Sequence, residues 1–305
     1  MATLEELYQT HKRFLSALAY RMVSSVMDAE DIVHNVFLSL DADTVRQLHN
    51  PKAYLCRLVT NRCIDQLRSA RVRREAYVGP WLPEPWIEPY RHDNGSADDP
   101  LRRAVMNETL STAFLLLLET LSPVERAVYV LREAYDLNYD EIAETTGKSS
   151  AGCRQLYRRA KRKVEAARGG TDAETAGVPP LETTKAGALV ERFIQALSTG
   201  NVELLSSLLT AGVTSVTDGG GKVQAAIRPV IGRDRVVAFL TGIVKKAPEN
   251  MQVQPCIVNG LPGLVAYAGD MMINAISFNF QEESIGDIYI VSNPDKLRTA
   301  SIQFQ

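Results

Sequence analysis

The chain is poor in the residues that build metal and redox sites: four Cys and four His in 305 residues. Cys56, Cys63, Cys153 and Cys256 form no C-x-x-C pair, and no Cys/His spacing matches a zinc site, so no metal or cofactor is predicted. Free thiols in apolar surroundings suit a reducing compartment. Residues 184–305 hold no His, which removes the commonest general base from that part of the chain. No apolar run approaches a membrane span, and MATLEELYQTHKRF lacks a signal-peptide pattern. These absences predict a cytoplasmic protein without membrane association. A large charge imbalance is absent too: 34 Lys+Arg against 36 Asp+Glu give a net charge of −2 and exclude a uniformly basic coating protein.

What is present is unevenly placed charge. Residues 149–168 carry seven Lys/Arg and one Glu, and residues 57–74 carry six Arg and one Asp. Between them, residues 75–102 carry six acids and two Arg. Two basic patches separated by an acidic stretch is a nucleic-acid pattern.

Periodicity divides the chain. Residues 3–74 read as helices. Leu4, Leu7, Phe14, Leu15, Leu18 and Met22 mark the first. Asp28 is expected to be the N-cap of the second, whose apolar face is Ile32, Val33, Val36, Phe37 and Leu40. Asn50-Pro51 opens a third, which ends in RSARVRRE. Residues 75–102 form a linker with both Trp of the chain inside VGPWLPEPWIEP, and Trp in a Pro-rich segment usually docks on something. Residues 103–168 are helical again, with Ser122-Pro123-Val124-Glu125 as a capping box. Residues 169–183 form a second linker. Residues 184–305 read as α+β: helices at 186–199, 201–209 and 233–246, a turn at Asp218-Gly219-Gly220-Gly221-Lys222, then strands at 251–258, 262–269, 271–280 and 285–292 in a curved antiparallel sheet.

The strongest motif is residues 139–158, which fit a helix-turn-helix. Ile142, Ala143, Cys153 and Leu156 form its inner face, Gly147 occupies the turn, and Ser149 or Ser150 caps the second helix. Arg154, Gln155, Arg158, Arg159 and Arg162 point outward. Such a face suits the major groove, where Arg pairs guanine, Gln pairs adenine and further Arg meet phosphates. A solvated basic helix is the alternative; agreement of turn, cap, pattern and charge favours DNA. The helix through Asn61 and Asp65 suits either a solvated face or a groove for an unstacked strand, and spacing alone leaves both open.

DAEDIVHNVFL resembles the polymerase-binding helix of the extracytoplasmic-function (ECF) sigma factors. NPKAYLCRLVTNRCIDQLRSARVRRE resembles their promoter −10 region, and LSPVERAVYVLREAYDLNYDEIAETTGKSSAGCRQLYRRAKRKV their −35 helix-turn-helix. WLPEP (Trp81, Pro83, Pro85), DGGGK (Asp218 to Lys222) and NPDKL (Asn293, Asp295, Lys296) resemble the subgroup with a fused SnoaL-like C-terminal domain. The resemblance implies two all-α domains, 1–74 and 103–168, followed by a SnoaL-like cone at 184–305. It implies binding to core RNA polymerase, through the β′ clamp helices and the β flap, and to promoter DNA. Asp28, Glu30, Asp31 and Asn35 would meet polymerase, although His34-Asn35 stands where relatives often carry Gln-Glu. Asn61, Asp65, Arg68 and Arg71 would read the −10 element, and Arg154, Gln155, Arg158, Arg159 and Arg162 the −35 element. The three subgroup motifs would mediate regulation in cis.

SnoaL-like relatives include enzymes with an Asp/His pair, but here Asp218 is followed by three Gly and no His is near. A solvated Asp in a β-hairpin turn is therefore expected, and no catalytic residue. Met271, Met272, Ile276, Phe278 and Phe280 could line a pocket for a small hydrophobic ligand, but strand alternation explains them as core. Two alternative functions follow from the same residues. A ligand-responsive helix-turn-helix regulator would bind duplex DNA without polymerase. A SnoaL-like isomerase or hydrolase with an appended DNA module would lose turnover in Asp218→Asn.

Overall fold

The computed structural model describes residues 3–41, 44–45, 48–74, 77–90, 110–168 and 183–304. The expected linker segments 91–102 and 169–182 lie outside the described residues, as does the side chain of Arg71. The described chain forms two compact units. The first contains residues up to 74 and 115–168; the second contains 77–90, 110–114 and 183–304.

In the first unit, α1 (Leu4–Val23) starts at a capping box between Thr3 and Glu6 and ends at Ser24 in the left-handed region. α2 (Val26–Leu38) is capped by Ser25, whose hydroxyl accepts from the Asp28 amide at 3.1 Å. Asp28 is thus the third helical residue rather than the expected N-cap; Ser25 has the extended backbone that a cap requires. α3 (Pro51–Arg74) begins as expected, with Asn50 Oδ1 accepting from the Ala53 amide. α4 (Thr112–Leu118), whose first three residues belong to the second unit, leads to α5 (Pro123–Glu133), which carries the predicted Ser122/Glu125 capping box. α6 (Tyr139–Thr146) and α7 (Ser150–Arg168) complete the unit.

Leu15, Leu18, Met22, Val33, Leu55, Val59, Val128 and Leu131 are buried in this unit, along with two guanidinium groups. Arg126 Nη2 donates to Glu119 Oε1 (2.6 Å) and Ser24 Oγ (3.0 Å); Arg21 Nη1 donates to the Tyr135 hydroxyl (2.9 Å). Burial pulls the Arg126 pKa down to about 9. These bonds tie residues 1–24 to residues 119–135 within the one compact unit. The charges must stay paired, because a buried guanidinium without acceptors is costly.

The second unit is α+β. α8 (Thr183–Thr199), α9 (Val202–Ser207) and α10 (Arg233–Lys245) supply the helices. The strands are β1 (Ile87–Pro89), β2 (Leu209–Asp218), β3 (Val230–Ile231), β4 (Met251–Val258), β5 (Leu261–Ala268), β6 (Met271–Gln281) and β7 (Ser284–Val291). They form one sheet in the order β1-β4-β5-β6-β7-β2-β3. The helices-then-sheet class of a SnoaL-like cone is therefore present, with two corrections. The sheet is mixed, because β2 pairs parallel with β7, and residues 209–218 are a strand, although position 209 was expected to end a helix, position 218 to start a turn, and no element was expected between them. α11 (Pro294–Phe304) follows β7.

Leu189, Phe193, Leu240, Ile276, Phe278, Ile288 and Ile290 form the core between the helices and one sheet face. Phe193 meets Phe278 edge-on at 5.1 Å, and Phe280 packs beside it. Met272 is buried, while Met271 is 66% exposed at the strand start. Two open grooves of about 470 and 480 Å³ flank α10, and neither is lined by Met272, Ile276 or Phe278. These side chains fill the core, as strand alternation suggested.

Candidate nucleic-acid interface and a buried polar clasp

The helix-turn-helix is built by local chemistry. Asn138 caps α6 with Glu141 reciprocating, and Gly147 ends that helix at φ 66°, where a side chain would be strained. Ser149, the nearer of the two expected caps, accepts from the Gly152 amide at 3.1 Å. Ile142, Cys153, Ala160 and Val164 are buried, and Ala143 and Leu156 half-buried, which sets the rotation of α7. Arg154, Gln155, Arg158, Arg159 and Arg162 are all exposed.

Their surroundings differ. Arg154 stands over the Tyr139 ring at 5.5 Å. Arg159 Nε lies 4.0 Å from Glu125 Oε1, and Lys163 donates to Glu125 Oε2 at 2.7 Å. Burial raises the Glu125 pKa, but hydrogen bonds from Lys163 and Ser122 outweigh it, and the carboxyl lies below its usual value. Arg158 and Arg162 have no ion-pair partner among the described residues. The open cationic face is therefore Arg154, Gln155, Arg158 and Arg162, with Arg159 turned toward the body of the unit.

On α3, Asp65 and Arg68 are exposed and paired with each other at 3.0 Å. Asn61 is half-buried, and its Nδ2 donates to the Thr145 carbonyl of α6 at 3.4 Å. Asn61 thus lies one turn before Asp65 on the same helix face and is engaged with α6. On α2, Glu30, Asp31, His34 and Asn35 are exposed, flanked by Met27 (51%) and Leu38 (69%). Asp28 is partly covered and accepts from Gln66 Nε2 at 3.0 Å, so it fastens α2 to α3.

In the second unit the three short motifs converge. Asp218 is fully buried at the end of β2, which overturns the expected solvated turn. Its Oδ2 accepts from Lys296 Nζ (2.7 Å) and the Leu82 amide (2.8 Å). Its Oδ1 accepts from the Tyr77 hydroxyl (2.5 Å) and the Gly220 amide (3.0 Å). Four donors satisfy the carboxylate, which is what permits a buried charge. Lys296 Nζ also donates to the Leu82 carbonyl (2.5 Å) and sits 4.5 Å from the Trp81 ring centroid and 5.1 Å from that of Tyr77. Asn293 Nδ2 donates to the Tyr77 hydroxyl at 2.9 Å. Burial, then the bond to Asp218, pushes the Tyr77 phenol well above its usual pKa. Gly220, at φ 60°, is where the second glycine matters: a Cβ there would lie 2.2 Å from Asn293 Nδ2. Lys222 pairs with Asp295 at the exposed rim.

The segment from Tyr77 onward is held along its length. Leu82, Pro83 and Pro85 are buried. The Trp86 amide donates to Asn259 Oδ1 at 2.8 Å, and residues 87–89 pair with β4 as an edge strand, where Pro89 is tolerated. Asn259 also donates to Thr112 Oγ1, which shares a 2.7 Å hydrogen bond with Ser277. Of the residues that complete the clasp, Tyr77 was not singled out in the sequence; it lies four residues before a motif tryptophan, while Leu82, inside that motif, acts through its backbone.

The family model described as Sigma-70 region 2 matches residues 7–73, and that described as Sigma-70, region 4 matches residues 111–164. The chain is 33% identical over 300 residues to the ECF RNA polymerase sigma factor SigJ of Mycobacterium tuberculosis, covering 95% of this chain and 91% of the relative. It is 29% identical over 295 residues to the probable ECF RNA polymerase sigma factor SigI of the same species, covering 95% and 93%. The crystal structure of Mycobacterium tuberculosis SigJ matches with a TM-score of 0.71 at 29% identity, over 95% of this chain and 97% of that one.

Proposed function

The chain belongs to the ECF RNA polymerase sigma factors, and from that premise we propose that it joins core RNA polymerase, directs it to promoters, and is restrained in cis by its second unit. The observation that carries the promoter reading is the open face of α7: Arg154, Gln155, Arg158 and Arg162 follow a capped turn and are exposed side by side. Bidentate Arg and Gln contacts to base edges would select sequence there, and the remaining cations would hold phosphates. Arg68 on α3, with Asp65 and Arg71, is assigned to the −10 element. Asn61 joins them once its bond to Thr145 is released.

The α2 face of Glu30, Asp31 and Asn35 is assigned to polymerase, in the clamp-helix and flap arrangement that the resemblance implies. Met27 and Leu38 are exposed on the same helix and supply apolar area that a partner would cover. A role in transcription places the protein in the cytoplasm. Catalysis is not assigned to the second unit: residues 184–305 hold no His, and all four bonds of Asp218 are used to hold Lys296, Tyr77, Leu82 and the glycine turn.

Restraint in cis is supported by the capture of residues 77–90. This segment joins the two basic helical regions, and a tethered contact acts at high effective concentration. Two measurements test the reading. Pull-down with core polymerase followed by run-off transcription from a bound promoter should yield a defined transcript; failure of the purified protein to join polymerase or to direct any start removes the sigma-factor assignment. Full-length Lys296→Met should raise transcript yield several-fold. Unchanged or lower yield would leave the sigma assignment standing and remove restraint in cis.

A further inference from the structure

The clasp treats its own chain as a bound peptide. Leu82 is read from both sides, its N–H by Asp218 and its C=O by Lys296, while the preceding Trp81 lays its ring against the ammonium group and Pro83 continues into the buried groove. Lys296 and Asp218 are 9% and 0% exposed at their side chains. If this segment leaves, Asp218 loses the Leu82 and Tyr77 donors, and Lys296 loses a carbonyl and two rings. Departure of the segment opens the pair to water, and a peptide offering the same N–H, carbonyl and ring would restore the lost contacts.

We infer that the Asp218–Lys296 site is an exchangeable peptide-binding site, whose ligand class is an extended peptide with an aromatic residue, then an apolar residue with a free amide N–H, then proline. The inference rests on the reading that capture of residues 77–90 restrains the protein, and it names what relieves the restraint. The ring answers the ammonium, the N–H answers the carboxylate and the next carbonyl answers the ammonium again. Such a ligand competes with a tethered occupant, so its apparent affinity for the intact chain is reduced by the fraction of sites already filled.

The test measures binding, not transcription, so that its failure is separate from failure of regulation in cis. The probe is N-acetyl-Trp-Leu-Pro-amide, titrated by calorimetry into the full chain, into Trp81→Ala and into Trp81→Phe. Affinity should rise at least tenfold from the intact chain to Trp81→Ala, with Trp81→Phe between them because it restores a ring. Adding Lys296→Met to Trp81→Ala should weaken binding at least tenfold. The analogue carrying N-methyl-leucine has the same ring and the same apolar groups but no leucine N–H, and should also bind at least tenfold more weakly. Equal affinity for the intact chain and both Trp81 variants overturns the inference, as does equal binding of the N-methyl analogue. If Trp81→Ala lacks a cooperative melt, Trp81→Phe against the intact chain decides: a several-fold gain supports exchange, and no gain refutes it.

Discussion

The molecule uses charge in two opposite ways. On α7 the guanidinium groups of Arg158 and Arg162 stand in solvent with no ion-pair partner among the described residues, while in the second unit Asp218 and Lys296 are buried and bonded on every side. An exposed cation contributes little to stability and remains available to an outside partner. A buried pair is committed to the fold, and its worth lies in the structure that it makes unique. The contrast teaches that function on α7 is read from what is left unpaired, and function in the clasp from what is paired with a distant segment.

Four experiments sharpen or break that contrast. The largest effect is expected of Asp218→Ala, which strands the Lys296 ammonium and should cost about 3–5 kcal/mol of the second unit's stability in thermal unfolding. A loss near zero would show that the clasp is open in solution. Next, Arg158→Ala or Arg162→Ala should each weaken promoter binding by about 1–3 kcal/mol where they meet a base edge, with the melting temperature nearly unchanged. Loss of stability instead of binding would place these arginines with Asp218.

Glu125→Gln is the third test. The folded carboxyl has a pKa below its ordinary 4.5, so its contribution is complete above that value and fades as pH falls through the folded pKa. The variant should lose about 1 kcal/mol at neutral pH, the scale of a weakened cap, and show a shallower acid-induced fall in stability than the parent. The smallest effect is expected of Lys222→Ala. Its pair with Asp295 is more than half exposed on both sides, and the loss should stay within about 0.5 kcal/mol.

The readable and unreadable parts of this fold divide by distance along the chain. The α7 face, the Ser122/Glu125 box and the Gly147 turn depend on residues within a few positions of one another, and a 3.6-residue period exposes them. Asp218 depends on Tyr77, Leu82 and Lys296, which lie 141, 136 and 78 residues away, so its burial has no local signature. Three following glycines suggested solvent; the second of them, Gly220, instead lets the chain turn closely past Asn293. The strand at 209–218 was hidden because its pairing with β7 is parallel and remote, and its own Thr, Ala and Gly carry no clear alternation. Asn61 was placed on the correct helix, but its bond to α6 is a tertiary contact that spacing cannot reveal.

Parallel pairing of β2 with β7 has a consequence for synthesis. Lys296 is translated 78 residues after Asp218, an interval on the order of 4–16 s at ribosomal elongation rates of about 5–20 residues per second. Throughout that interval the nascent chain already carries Trp81 and Leu82, while the cation that receives them does not yet exist. Helices α1 to α7, whose contacts can form early, have time to assemble first, and each new molecule passes through a period in which the clasp is still unmade.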